Sequence, residues 1–140
     1  MFMEESVMNE KILKILSEMD DYMPDGSMLE FLYGHKKFIR FNIYLRKKEL
    51  DENLSVLDLS QRSINCLRRA GFTTLGDLLK AISVTGDERS KEKLLRLRNL
   101  GRKSAEEILL TIMCYQFQIL SDRERTEYLQ DIIKLNTEAA

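Results

Sequence analysis

Histidine and cysteine are nearly missing from this sequence. His35 is alone, and Cys66 and Cys114 lack a CxxC spacing. No zinc site of ordinary ligand count can be built from these residues. Two thiols in helical apolar surroundings are expected as small buried hydrophobes rather than as a disulfide. Long apolar runs are missing too: none reaches the ~18 residues that span a bilayer. Glu4 and Glu5 stand where a secretory leader wants Lys or Arg before an apolar stretch. No membrane partner is expected, and the expected location is cytoplasmic. Proline occurs once, at Pro24, and glycine six times, at Gly26, Gly34, Gly71, Gly76, Gly86 and Gly101. That sparse punctuation, with Leu, Lys, Glu and Arg between, predicts short helices joined by turns, an all-α class.

Apolar residues make up 44% of the 140, enough for a core. The net charge of -1 hides segregation. Residues 1–33 hold eight acids against Lys11 and Lys14, and residues 34–48 hold six Lys/Arg and no acid. Residues 56–115 hold eleven Lys/Arg against seven acids. Such asymmetry points the basic parts toward a polyanion, although mixed charged surface is an equally common reason for Lys and Arg.

Ile12, Ile15, Leu16 and Met19 follow the i, i+3, i+4, i+7 spacing of an amphipathic helix, and Leu13 is expected to widen that face. Ser27 with Glu30 predicts a capped helix through Leu32. Residues 35–50 fit both a period of two (Ile39, Phe41, Ile43, Leu45) and helical i,i+4 pairs; helix is preferred. The basic-aromatic run from His35 to Lys48 could stack on bases, but an amphipathic element packing its apolar side on the domain is preferred. Ser60 predicts an N-cap for a helix over 61–70 that Gly71 ends, and Thr74 caps a helix to about Ile82. Val84 to Ser90 reads as a loop, and Ser90 caps a helix ending near Arg98. A long helix opens at Arg102 with Ile108, Ile112, Tyr115 and Ile119 on one face. Ser121 with Glu124 caps a last helix carrying Tyr128, Leu129, Ile132, Ile133 and Leu135. The faces at Ile12/Leu16 and Ile132/Ile133 are expected to pack within the protein itself, with a homo-dimer as the less favoured use.

The chemistry concentrates at Leu95-Arg96-Leu97-Arg98-Asn99-Leu100-Gly101-Arg102-Lys103-Ser104. A short helix, an apolar-Gly turn and a helix opening with two bases and a Ser form a helix-hairpin-helix pattern. Glycine lets the main chain approach a phosphate. The first N–H groups of the next helix lack carbonyls one turn back, and the helix dipole favours an anion there. Arg102 and Lys103 add charge, and Ser104 adds a hydroxyl. Contacts of this kind hold a duplex without reading its bases.

Upstream lie Asp58-Leu59-Ser60-Gln61-Arg62-Ser63-Ile64-Asn65-Cys66-Leu67 and Thr74-Leu75-Gly76-Asp77-Leu78-Leu79. Three separated motifs in this order resemble the C-terminal domain of the bacterial RNA polymerase alpha subunit over about 60 of 140 residues. The resemblance implies a compact helical bundle containing the hairpin, with extra N- and C-terminal helices. It implies DNA-binding roles for Arg62 in the minor groove, for Asn65, for Arg96 before the hairpin, and for Gly101, Lys103 and Ser104 on the backbone. It also implies a protein-contact role for Glu107. A guanidinium suits a narrow A·T-rich groove, where the negative potential is enhanced.

Two departures stand out: Arg98 replaces the family's usual Pro, and the loop between Leu79 and Leu94 is longer. The first ~50 residues are also far too short for the alpha subunit's assembly domain, given ordinary domain sizes. The expectation is a free-standing relative: a helical N-terminal extension over 1–50, a DNA-binding domain over 51–120 and a C-terminal helix over 121–140. Expected partners are A·T-rich double-stranded DNA and RNA polymerase, a sigma factor or transcription regulators. No cofactor and no metal are expected. A catalytic carboxylate motif is missing, so an enzyme is not expected. The competing function is a protein-interaction module that has lost DNA binding.

Overall fold

The computed structural model describes residues 9–34, 39–82, 90–98 and 100–138, and all regular elements among them are helical. The protein divides into two compact units. A terminal unit combines Met1–Ile43 with Ile112–Ala140, and a central unit is Tyr44–Thr111. The central unit runs over 44–111, and the expected DNA-binding domain over 51–120. The expected C-terminal helix shares its unit with the N-terminal extension.

The terminal unit holds α1 (Glu10–Met19), a 3-10 turn at Asp20–Tyr22 and α2 (Met28–Gly34). The Asn9 side chain accepts from the Ile12 N–H at 2.8 Å, which starts α1. Ile12, Ile15, Leu16 and Met19 are buried as their spacing requires. Leu13 is not: it is 40% exposed. At 100° per residue it falls about 60° beyond Leu16, the edge of the buried stripe. Asp20 Oδ1 accepts from the Met28 N–H at 2.8 Å, and Ser27 Oγ accepts from the Glu30 N–H at 3.1 Å, so the turn and the start of α2 are both closed by side chains.

Residues 39–46 are not helical, contrary to the preferred reading. Side-chain amides satisfy part of their backbone in place of a helical ladder. The Arg40 N–H donates to Asn136 Oδ1 at 2.9 Å, and Asn136 Nδ2 donates back to the Arg40 carbonyl at 2.9 Å. Buried Gln116 donates to the Asn42 carbonyl at 3.1 Å and to the Tyr128 hydroxyl at 3.0 Å. That hydroxyl donates in turn to the Met113 carbonyl at 3.0 Å. Ile43 is 41% exposed, so a simple alternation fails as well. Within the basic-aromatic run, His35 to Phe38 lie outside the described residues.

The central unit holds α3 (Lys47–Leu50), a 3-10 turn at Leu54–Leu57, α4 (Gln61–Arg69), α5 (Leu75–Ile82) and α6 (Ser90–Leu95). It also takes the first part of α7 (Arg102–Ile119), whose remainder belongs to the terminal unit together with α8 (Asp122–Glu138). Leu54 N–H donates to the Thr73 carbonyl at 3.0 Å and Leu75 N–H to the Glu52 carbonyl at 2.9 Å, so the start of α5 is pinned to the segment after α3. Gly76 permits this approach: a Cβ there would meet the Leu50 carbonyl oxygen at 3.1 Å. Gly71 ends α4 with φ +94°, a left-handed value that favours glycine. Thr74 Oγ1 accepts from the Asp77 N–H at 3.1 Å, and Asp77 accepts back from the Thr73 and Thr74 N–H groups. On α7, Ile108 and Ile112 are buried as expected, but Ile119 is 41% exposed. The expected capping box at Ser121 and Glu124 is present in both directions. Both cysteines are buried free thiols, and burial pushes the Cys114 thiol up to about 12. No helix among the described residues is long and apolar enough to cross a membrane.

Candidate nucleic-acid interface

The start of α4 is where the site begins. Ser60 Oγ accepts from the Ser63 N–H at 3.2 Å and so caps the helix. From α7, Glu107 completes the cap. Its Oε2 accepts from the Ser60 N–H at 3.0 Å, and its Oε1 accepts from the Ser60 hydroxyl at 2.9 Å and from the buried Ser63 hydroxyl. One carboxylate thus fastens the first turn of α4 to α7. Ser104 and Lys103 precede Glu107 by three and four residues, about one helical turn, so they share its face of α7. Arg62 lies between Ser60 and Ser63 in the fastened turn. The network joins residues more than forty positions apart in sequence within the central unit.

Arg62 is exposed on α4 and Asn65 half-buried. Gln61 Nε2 donates to Asn65 Oδ1 at 2.9 Å. The Asn65 carbonyl oxygen is therefore engaged, while its NH2 has no acceptor among the described residues.

The hairpin is anchored by buried Leu94 and Leu100. Leu97 N–H donates to the Leu94 carbonyl at 3.0 Å and Leu100 N–H to the Leu97 carbonyl at 3.2 Å, so the backbone turns tightly out of α6. Ala105 N–H donates to the Gly101 carbonyl at 3.0 Å, which begins α7. Gly101 is exposed, its φ is not left-handed, and a Cβ would meet nothing within 4 Å. The hairpin does not itself demand glycine there. Lys103 is exposed and Ser104 half-buried. Arg102 Nε lies 3.9 Å from Glu106 Oε1, a loose pair between an exposed guanidinium and a mostly buried carboxylate. Arg96 stands exposed just past α6, on the other arm of the hairpin and outside the Glu107 network. Asn99, and residues 83–89 of the longer loop, lie outside the described residues.

Sequence reasoning named Glu107 but missed its bonds to Ser60 and Ser63. A carboxylate 44 and 47 positions away leaves no periodic trace. Among the described residues, no group of three or more His, Cys, Asp or Glu could hold a metal ion.

The family defined by the C-terminal domain of the bacterial RNA polymerase alpha subunit matches residues 44–112. These bounds nearly coincide with the central unit, Tyr44–Thr111, drawn from the fold alone. Residues 44–112 are an RNA polymerase alpha C-terminal-domain-like segment. A relative, the DNA-directed RNA polymerase subunit alpha of Moorella thermoacetica, is 44% identical over 63 residues, covering 45% of this protein and 18% of the relative. The match thus spans under a fifth of the relative's length. No solved structure matches the sequence significantly. In this alpha-C-terminal-domain-like segment, Glu107 fastens the α4 turn that carries Arg62 to the helix that carries Lys103 and Ser104.

Proposed function

We propose that the alpha-C-terminal-domain-like unit binds double-stranded DNA in a non-enzymatic, transcription-related role. Arg62 enters an A·T-rich minor groove. Asn65 donates its NH2 to a groove-edge or phosphate oxygen. The backbone at Gly101, with Lys103 and Ser104, holds phosphates, and Arg96 adds charge from the other arm of the hairpin. The observation that carries this reading is the Glu107 carboxylate, which joins the α4 turn containing Arg62 to α7, the helix of Lys103 and Ser104, and so supports a joint use of groove and phosphate contacts. Charge supports it: residues 44–111 hold fourteen Lys/Arg against ten Asp/Glu. Affinity is modest, micromolar or weaker at physiological salt, as expected for a few phosphate contacts. RNA polymerase, a sigma factor or a transcription regulator supplies the second anchor that raises occupancy. A docking module without DNA affinity is the second reading, favoured by Leu95, which is 42% exposed beside the hairpin.

The test is NMR titration of the labelled protein with an A-tract duplex and a G·C-rich control at two salt concentrations. Shifts are expected at Arg62, Asn65 and Gly101 to Ser104, larger for the A-tract and shrinking with salt. Unmoved amides at low salt and millimolar duplex would sink the DNA reading in favour of docking.

A further inference from the structure

The solvent-facing side of α4 has a composition that the hairpin does not explain. Ser63, Ile64, Cys66 and Leu67 are buried. The opposite arc is Gln61, Arg62, Asn65, Arg68 and Arg69, with three guanidinium groups and no acid. None of the three arginine side chains has a hydrogen bond or ion pair among the described residues. An exposed helix built only for solubility normally intersperses both signs.

Seven residues separate Arg62 from Arg69. That is just short of two turns, so Arg69 returns to within about 20° of Arg62 on the helix surface. Asn65 lies between them in height and within about 60° in angle. The rise from Arg62 to Arg69 is about 10 Å. A minor groove is about 6 Å wide. With Arg62 in the groove and α4 crossing it, Arg69 would stand beyond the groove wall, at the flanking sugar-phosphate backbone. Helical side chains lean toward the N-terminus, which turns Arg69 back over the Asn65 turn rather than away from it. Two arginines in the last turn also complement the helix dipole, but the dipole draws a charge only toward the helix end and does not account for the shared azimuth with Arg62.

We infer that Arg69 is a further DNA-binding residue, a phosphate contact that extends the interface along α4 from the groove to its flanking strand. The inference rests on the duplex-binding reading. Because a phosphate contact carries no sequence information, Arg69 contributes to affinity and to salt dependence but not to A·T preference.

The experiment measures the affinity of the full-length protein and of the variants R69Q, R62Q and R123Q for A-tract and G·C-rich duplexes at salt concentrations spanning about 50 to 200 mM. Arg123 is exposed on α8 and serves as the control for a simple loss of charge. R69Q is expected to bind both duplexes several-fold more weakly at low salt, with the A-tract preference intact. Its slope of log affinity against log salt falls by about 0.9, so the ratio of wild type to variant narrows about three- to fourfold across that salt range. R62Q loses the A-tract preference. An R69Q slope equal to wild type, alongside an impaired R62Q, overturns the role of Arg69 and leaves the DNA reading standing. An R123Q slope change as large as that of R69Q overturns it as well. Wild type binding neither duplex at any salt overturns the DNA reading and the inference together.

Discussion

Arginine does opposite work in the two units. In the terminal unit, Arg125 is consumed internally. Its Nε donates to the Phe117 carbonyl at 2.9 Å, its Nη2 to the Gln118 carbonyl at 3.0 Å and its Nη1 to the Tyr22 hydroxyl at 3.0 Å. The guanidinium lies 4.5 Å from the Phe117 ring centroid and 5.5 Å from that of Tyr22, and the two rings meet edge to face. It donates to carbonyls at the end of α7, where the helix dipole favours a cation. In the central unit, Arg62, Arg68 and Arg69 face solvent with no partner among the described residues. Net charge divides the same way: the central stretch holds fourteen bases against ten acids, the remainder eight against thirteen. A cation already satisfied by carbonyls and rings has little left for a ligand; an unpaired one on a basic surface keeps its full field. Charge counts alone would not separate these roles.

The largest expected effects test whether the two units are separate in energy as well as in packing. Leu78→Ala in the central unit and Leu16→Ala in the terminal unit each remove a buried side chain, and each should cost about 2–5 kcal/mol in urea unfolding. Pulse labelling of the thiols reads where the loss falls. Cys66 reports the central unit and Cys114 the terminal one. Because burial holds the Cys114 thiol at about 12, its labelling in mildly alkaline buffer proceeds through opening of the structure. Each mutation should accelerate its own unit's cysteine; equal acceleration of both would show that the division does not govern unfolding.

A smaller effect sharpens the contrast between consumed and free side chains. Arg125→Ala leaves the Phe117 and Gln118 carbonyls without that donor, and Glu107→Ala leaves the Ser60 N–H and the buried Ser63 hydroxyl without their acceptor. Each should lower stability by about 1–3 kcal/mol. Arg62→Gln should shift it by less than about 0.5 kcal/mol. A substantial stability loss in the last variant would mean that Arg62 is structural after all.

The smallest effect is a pH dependence at an exposed cap. Backbone N–H bonds from Thr74 and Thr73 hold the Asp77 carboxyl below its ordinary 3.8. A carboxyl with a lowered folded-state value contributes stability that is fully present above its unfolded value. The contribution disappears as pH falls through the lowered one. The stability difference between wild type and Asp77→Asn should therefore be constant above about pH 5 and shrink as pH drops below the usual carboxylate range. A difference that does not change through that acid range would remove the cap from the account.

Much of this protein was legible in its residues because much of it is local. Caps act over three residues and amphipathic stripes over four, so Ser60, Thr74 and the Ser121–Glu124 box marked helix starts, and Ile12 to Met19 marked a buried face. The hairpin motif and the order Arg62, Asn65, Gly101, Lys103 carried the family resemblance. Errors arose where a local rule met a distant partner. Residues 39–46 satisfied two periodicities equally, and amides from Asn136 and Gln116 decided for a non-helical path. Leu13 and Ile119 sit on apolar stripes, yet the buried surface stops short of both.

By itself the sequence determined the helical class, most helix boundaries, and the residues able to meet a polyanion, since these follow from i,i+3 and i,i+4 geometry and side-chain chemistry. Only the tertiary structure decided which charges are spent internally and which, among the described residues, face solvent. It joined Glu107 to Ser60 and Ser63 across more than forty residues and laid Arg125 over Tyr22 across about a hundred. It also left the arginines of α4 facing solvent. Those outcomes depend on which surfaces are buried together, and helical periodicity carries no information about partners beyond the next turn.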